Sequence, residues 1–292
     1  MKYFIISFML LCMNAATYCQ QTPDRVLYGK ITTDSLLQKP FESWYSKNYN
    51  SYSCNTSVKA SLQKSLFRDV SIEVFFGSWC GDSRRELPRF IKLLDETGFD
   101  KFKLKIIAVG GSDSLYKQSP LNEQAGKGIY RVPTFIFYKQ GKEIGRINEF
   151  PAVSLERDMQ FILSGENYVP NYKTFNTVKK WQQEGALADT NVNPRSLAAQ
   201  LKPLLADEHE LNSLGYVFLH QNLLTEAVAI FRANAFLFPE SGNVLSSLGE
   251  AYLEKGDMPK ALSILEKSLK YAKDPGLIKT ILQLLYKAKG LK

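Results

Sequence analysis

Ser71-Ile72-Glu73-Val74-Phe75-Phe76-Gly77-Ser78-Trp79-Cys80-Gly81-Asp82-Ser83 decides how this chain folds. Ser71–Phe76 is an apolar run of β-branched and aromatic residues closed by Gly77, the pattern of a buried strand. From Asp82 to Thr97 the apolar residues Leu87, Phe90, Ile91 and Leu94 keep the spacing of one helix face, and Gly98 ends it. Cys80 therefore sits between the end of a strand and the first turn of a helix. A thiol there is expected to point its sulfur at the unpaired N–H groups of that turn, where the helix dipole favours the nucleophilic thiolate. Arg84 and Arg85 add positive charge in the next turn, and Asp82 opposes them.

Outward from this stretch the same unit continues. Leu104–Val109 is a second buried strand ended by Gly110-Gly111. Thr134–Tyr138, the turn Lys139-Gln140-Gly141-Lys142, and Glu143–Ile147 form a hairpin. Ser154–Leu163 is an amphipathic helix capped by Gly165. Strand, helix, strand, hairpin and helix make an α/β unit with a mixed sheet. Two prolines stand out. Pro88 lies inside the helix that follows Cys80, and Pro133 in Arg131-Val132-Pro133-Thr134 directly precedes a strand, a place suited to a cis peptide bond.

Strand–Trp79-Cys80-x-x–helix with its internal proline, followed by Val132-Pro133-Thr134 and a hairpin, resembles the thioredoxin-like superfamily over roughly residues 57–165. The resemblance implies that Cys80 attacks a substrate disulfide. It also implies that Pro133 is cis and shapes the substrate groove, and that backbone groups at Val132 pair with a bound peptide. Trp79, Gly81, Asp82 and Ser83 complete the implied substrate-binding loop. Two departures qualify this. Ser83 stands where dithiol members carry a second Cys, and Val74 stands where they carry a buried carboxylate. The implied chemistry is monothiol: a mixed disulfide on Cys80 waits for an external thiol or for the client's own second Cys.

The chain has 292 residues, enough for about two domains at ~150 residues each. Residues 1–20 have the anatomy of a secretory signal peptide: Lys2, an apolar run from Tyr3 to Met13, then small and polar residues. Cleavage is expected between Thr17 and Gln21, and the bulky Tyr18 speaks against lipidation of Cys19. Cys12 and Cys19 lie in this leader, which leaves Cys54 and Cys80 in the mature chain. Cys54 is a candidate resolving thiol if its Cα comes within ~7 Å of Cys80, and otherwise a bystander. Asn55-Thr56-Ser57 matches the glycosylation sequon, a short match that chance often supplies. Arg131 is expected to be a solvated surface residue, with a place facing Cys80 as the alternative.

Residues 21–56 form a partly helical extension, 57–168 the thioredoxin-like domain, and 169–195 a polar linker with little core. Residues 196–292 are entirely helical. There Leu214-Gly215 and Leu248-Gly249 lie 34 residues apart, and at the same offset Phe218 matches Tyr252, Ala227 matches Ala261 and Phe231 matches Leu265. This period resembles the tetratricopeptide repeat, in which small residues let two helices cross closely; Pro239 falls where the motif ends its second helix. The segment from Leu277 to Lys287 suits a capping helix.

The charge of +8 is spread thinly, with no basic stripe interleaved with aromatics, so nucleic acid gains little support as a partner. With His209 and His220 as the only histidines, a His-based metal centre or a Ser-His-Asp site is disfavoured, and nothing calls for a cofactor. A peroxidase would need a hydroxyl and a proline just before the Cys, and Phe76-Gly77-Ser78-Trp79 offers Ser78 alone. Two functions remain. The leading one is an exported thiol–disulfide oxidoreductase or isomerase of a bacterial periplasm or cell envelope, whose repeats recruit a protein or peptide partner. Its clients would be disulfide- or thiol-bearing proteins, with an external thiol as reductant. The other is a non-catalytic adaptor on the same two scaffolds.

Overall fold

The computed structural model describes residues 25–62, 67–111 and 115–290. The expected leader, with Cys12 and Cys19, lies outside the described residues. The elements run β1 (Gly29–Ile31), α1 (Thr33–Leu36), α2 (Glu42–Ser51), α3 (Thr56–Ser61), β2 (Val70–Phe76), α4 (Gly81–Thr97), β3 (Leu104–Ala108), β4 (Thr134–Lys139), β5 (Lys142–Asn148) and α5 (Leu155–Ser164). Seven helices follow: α6 (Thr174–Gln183), α7 (Pro194–Leu201), α8 (Glu208–His220), α9 (Leu224–Leu237), α10 (Gly242–Glu254), α11 (Met258–Tyr271) and α12 (Pro275–Ala288).

The sheet is mixed, in the order β1-β3-β2-β4-β5. β2 and β3 are parallel and the other neighbours antiparallel. Strand alternation sorts its side chains into two cores. Ile72, Val74 and Phe76 of β2 join Phe135 and Phe137 of β4 under α4 and α5, where the Phe90 ring of α4 lies 4.3 Å from that of Phe135. Phe75, Ile107, Val109 and Ile136 point to the opposite face, where Ile129, Val132, Trp79 and Cys80 cover them. Cys80 is thus built on one face of the sheet, and the larger core lies on the other.

Pro88 sits inside α4 as the sequence indicates. A proline has no N–H, so the carbonyl of Arg84 loses its helical partner. Asn48 of α2 replaces it: its Nδ2 donates to Arg84 O at 3.1 Å, which pins α2 along α4. α4 closes on Gly98 in the left-handed region (φ 69°), and α5 closes on Gly165 in the same way (φ 74°).

The sequence pattern does not show β1, a three-residue edge strand antiparallel to β3. The segment expected to carry little core also behaves differently. α6 turns Phe175, Val178 and Trp181 inward, and these join the core of the helical body. Glu210 of α8 is fully buried and accepts from Thr174 N and Thr174 Oγ1 at 3.1 and 2.5 Å, which fixes the start of α6.

The helical pairs α8/α9 and α10/α11 pack by the same device. A Cβ on Gly215 would stand 2.5 Å from the Phe231 ring, and one on Gly249 would stand 2.6 Å from Leu265. Glycine at these equivalent positions lets each pair cross closely. Ala227 and Ala261, also equivalent, are fully buried. α12 covers the last apolar face with Ile281 and Leu285. The two parts of the chain meet at several contacts, among them Arg146 of β5, whose guanidinium lies 4.6 Å from the centre of the Phe175 ring, and Tyr130. Tyr130 leaves the loop before β4 and stacks on Phe175 with ring centroids 4.9 Å apart, inside the core of the helical body.

Candidate active site

β2 ends at Phe76, and Gly77-Ser78-Trp79 carries the chain to Cys80, the N-cap of α4 (φ −88°, ψ 129°). The turn is closed by Cys80 N donating to Gly77 O at 2.9 Å, and the helix begins with Arg84 N donating to Cys80 O at 3.0 Å. Trp79 is held flat between two glycines. A Cβ on Gly77 or on Gly111 would stand 2.6 or 2.7 Å from its ring, and its Nε1 donates to Val109 O at 3.0 Å. Ser83 is fully buried; its Oγ accepts from Gly77 N at 3.1 Å and ties the first turn of α4 to the end of β2.

The sulfur does not face the N–H groups of the first turn, which corrects the expectation drawn from its position. Cys80 makes no side-chain cap bond; its Sγ donates to Val132 O at 3.3 Å. The Val132–Pro133 peptide bond is cis. Cys80, Val132 and Pro133 are therefore one constellation, with Trp79 as its floor. Val74 is fully buried on the opposite core face.

Arg84 and Arg85 are engaged locally. Arg84 Nε donates to Ser78 O at 2.6 Å, while Arg85 pairs with Asp82 and Glu86, both at 2.6 Å. Arg131 is not a solvated surface residue. Its side chain is 16% exposed, it pairs with Glu149 at 3.5 Å, and its guanidinium lies 4.5 Å from the centre of the Tyr172 ring. Glu149 also accepts from Tyr172 Oη, and its backbone N donates to Pro133 O at 2.6 Å. Burial pushes the Glu149 carboxyl up from its usual range, and Arg131 opposes the shift.

Two residues that the sequence pattern did not single out line the same region. Lys117 is buried, and its Nζ donates to Tyr130 O at 2.5 Å. Burial, with Arg131 adding to it and Glu149 and Cys80 opposing, pushes the Lys117 ammonium down to about 7. Tyr116 lies with its ring 5.9 Å from Trp79 and 5.8 Å from His220 of α8. Neither could be found from spacing, because the loop that carries them has no periodicity and its role comes from contacts made after folding.

Cys54 lies elsewhere. It packs against the larger core, across the sheet from the cluster that holds Cys80, and both cysteines are free. Burial, reinforced by the Glu96 and Glu156 carboxylates, pushes the Cys54 thiol up to about 11. A thiol shifted upward stays protonated, and slow as a nucleophile, until the pH approaches that value. Iodoacetamide at pH 7.5 is expected to label Cys80 and spare Cys54 in the native protein; peptide mapping that found Cys54 labelled first would contradict this placement. Asn55, in the sequon match, caps α3 by accepting from Val58 N at 3.2 Å.

Among the described residues no group of three or more His, Cys, Asp or Glu is placed to hold a metal ion. No helix among them is long and apolar enough to cross a membrane. Comparison with known proteins gives a limited result. The chain is 31% identical over 90 residues to a thioredoxin-like protein of Acanthamoeba polyphaga mimivirus, a match covering 29% of this chain. It spans about 56% of that relative's length. No family model matches, and no solved structure matches. The similarity and the mixed sheet with flanking helices support a thioredoxin-like domain, joined to a helical C-terminal part.

Proposed function

We propose that the protein is an exported thiol–disulfide exchange protein that works through Cys80, and that its helical part consists of tetratricopeptide repeats recruiting a protein or peptide. The observation that carries the reading is Cys80 at the N-cap of α4 with its Sγ 3.3 Å from Val132 O, beside cis Pro133. Export rests on the leader pattern of residues 1–20, and a bacterial periplasm or envelope is the compartment proposed. The repeat assignment rests on the equivalent close packing of Gly215 against the Phe231 ring and of Gly249 against Leu265, 34 residues on.

In the proposed reaction the Cys80 thiol rotates away from Val132 O and loses its proton, and the thiolate attacks one sulfur of a client disulfide. That S–S bond breaks, the departing sulfur leaves with the electron pair and takes a proton, and a Cys80–client disulfide forms. The vacated Val132 carbonyl is free to accept from a backbone N–H of the client. Ser83 cannot resolve the adduct, because a hydroxyl forms no disulfide. A second client thiol resolves it with no net redox change. Alternatively, two equivalents of a small external thiol resolve it, reducing the client and ending as a disulfide themselves.

The test is to incubate the protein with a peptide disulfide and map the product by mass. A peptide adduct on Cys80, discharged by added small thiol, is the expected result; an unmodified Cys80 after prolonged incubation would remove the reading. The second reading is a non-catalytic adaptor, favoured by the way Ser83, in place of a second thiol, is built into the backbone of the turn.

A further inference from the structure

A thiolate on Cys80 gains from a positive charge close by, and several cations around it are engaged elsewhere. The sulfur turns away from the first turn of α4, Arg84 is bonded to Ser78 O, and Arg85 pairs with Asp82 and Glu86. Arg131 is held by Glu149. Lys117 is placed differently. Its Nζ donates to a neutral carbonyl, Tyr130 O, at 2.5 Å, and lies 4.4 Å from the centre of the Tyr116 ring. Among the described carboxylates Glu149 acts on it, through space and not through a bond.

Lys117 is tied to both sides of the sulfur. Its backbone N donates to Gly110 O, and Gly110 N donates to Gln118 O, both at 2.9 Å, so its loop is anchored where β3 ends. The next residue there, Gly111, lies against the Trp79 ring. The side chain reaches Tyr130, two residues before Val132, whose carbonyl meets the Cys80 sulfur. One residue thus connects the Trp79 floor with the loop that carries cis Pro133.

The placement carries two costs. The ammonium is buried, and the backbone stands at φ 55°, in the left-handed region that an L side chain rarely adopts. A neutral amide could anchor a carbonyl without bringing a charge inside, so the anchor alone does not account for a lysine here. Tyr116 faces the ammonium from its own loop, Arg131 from the loop before β4, Glu149 from the end of β5 and Cys80 from the start of α4. His220 of α8 lines the same small cavity. Arg131 works against the ammonium, and a charge on Cys80 or Glu149 works for it.

We infer that Lys117 is a positioning residue of thiol exchange: its ammonium is the counter-charge of the Cys80 thiolate, and its bond to Tyr130 O keeps the Val132–Pro133 loop against the sulfur. The inference rests on the thiol-exchange reading for the use to which the thiolate is put. Electrostatic coupling is reciprocal, so the thiolate holds the ammonium as strongly as the ammonium holds the thiolate.

The experiment reads the coupling from both ends. Alkylation of Cys80 by iodoacetamide is followed against pH in the parent and in Lys117→Met, which keeps the length of the side chain and removes its charge. The midpoint of the profile is expected to rise by about one unit, a loss of roughly five- to tenfold in rate at pH 7. Isotope-labelled lysine is then followed by NMR in the parent and in Cys80→Ser. Lys117 is the resonance that titrates far below ~10.4, the ordinary lysine value, and its midpoint is expected to fall by about one unit in Cys80→Ser. A midpoint that stays put in either comparison overturns the inference. A purely structural lysine gives that outcome, since a loosened loop changes the rate at every pH without moving the midpoint. The second comparison alters nothing at Lys117, so it decides the matter if Lys117→Met melts early. A peptide disulfide is tested alongside. An adduct on Cys80 with unmoved midpoints removes the role of Lys117 and leaves exchange standing; moved midpoints without an adduct keep the pairing of charges and overturn the exchange reading.

Discussion

Cys80→Ser is expected to abolish adduct formation with disulfide substrates, lowering the rate by at least about 10³-fold, since a serine hydroxyl is not ionised near neutral pH and forms no disulfide. The substitution makes a clean test because it leaves the fold alone. Cys80 is the N-cap of α4 and makes no side-chain cap bond, whereas serine is among the preferred residues at that position. The melting temperature of Cys80→Ser should therefore equal or slightly exceed that of the parent. The remaining thiol, Cys54, is pushed up to about 11 and lies across the sheet, so it should not substitute. Exchange that survived in Cys80→Ser and vanished in Cys54→Ser would transfer the chemistry to the other thiol and overturn the assignment.

Tyr130→Ala is expected to cost about 3–5 kcal/mol, the range for truncating a buried aromatic residue. Tyr130 is fully buried, stacks on Phe175 at 4.9 Å, and its hydroxyl accepts from Asn148 Nδ2 at 3.2 Å. The alanine variant loses the ring and leaves that amide short of a partner. Because Tyr130 is the fully buried residue packed between the two parts, its loss should separate urea unfolding, followed by tryptophan fluorescence, into two transitions. Trp44 and Trp79 report on the sheet unit, and Trp181 reports on the helical body. Tyr130→Phe keeps the stack and should cost only about 1 kcal/mol, the net worth of a hydrogen bond. A single transition with a loss under about 1 kcal/mol in Tyr130→Ala would show that other contacts hold the two parts together.

The elements around Cys80 were legible because each carries its own periodicity. β2 is an apolar run closed by Gly77, α4 repeats its apolar residues at helical spacing, and the hairpin is marked by Gln140-Gly141. Pro133 was legible as a cis candidate from its place before a strand. The direction of the sulfur was not, since it depends on Val132, which lies 52 residues away in sequence. The place of Arg131 is not legible for the same reason: its partners Glu149 and Tyr172 come together only in the fold. β1 escaped notice because three residues at a sheet edge carry no pattern. α6 was hidden by composition, its Asn, Gln and Lys masking Phe175, Val178 and Trp181 on one face.

The matched packing of Gly215 under Phe231 and of Gly249 under Leu265 has a consequence for how such a chain can change over time. Each helical pair touches mainly its neighbours, so duplication of one pair adds length without refitting the rest. The end where Tyr130 stacks on Phe175 and Glu210 holds the start of α6 cannot accept such an insertion, because those contacts are particular to it. Growth is confined to the far end, before the covering helix α12. There a new pair would lengthen the helical body while leaving the surroundings of the sulfur untouched, so the reach of the molecule and its chemistry can vary separately.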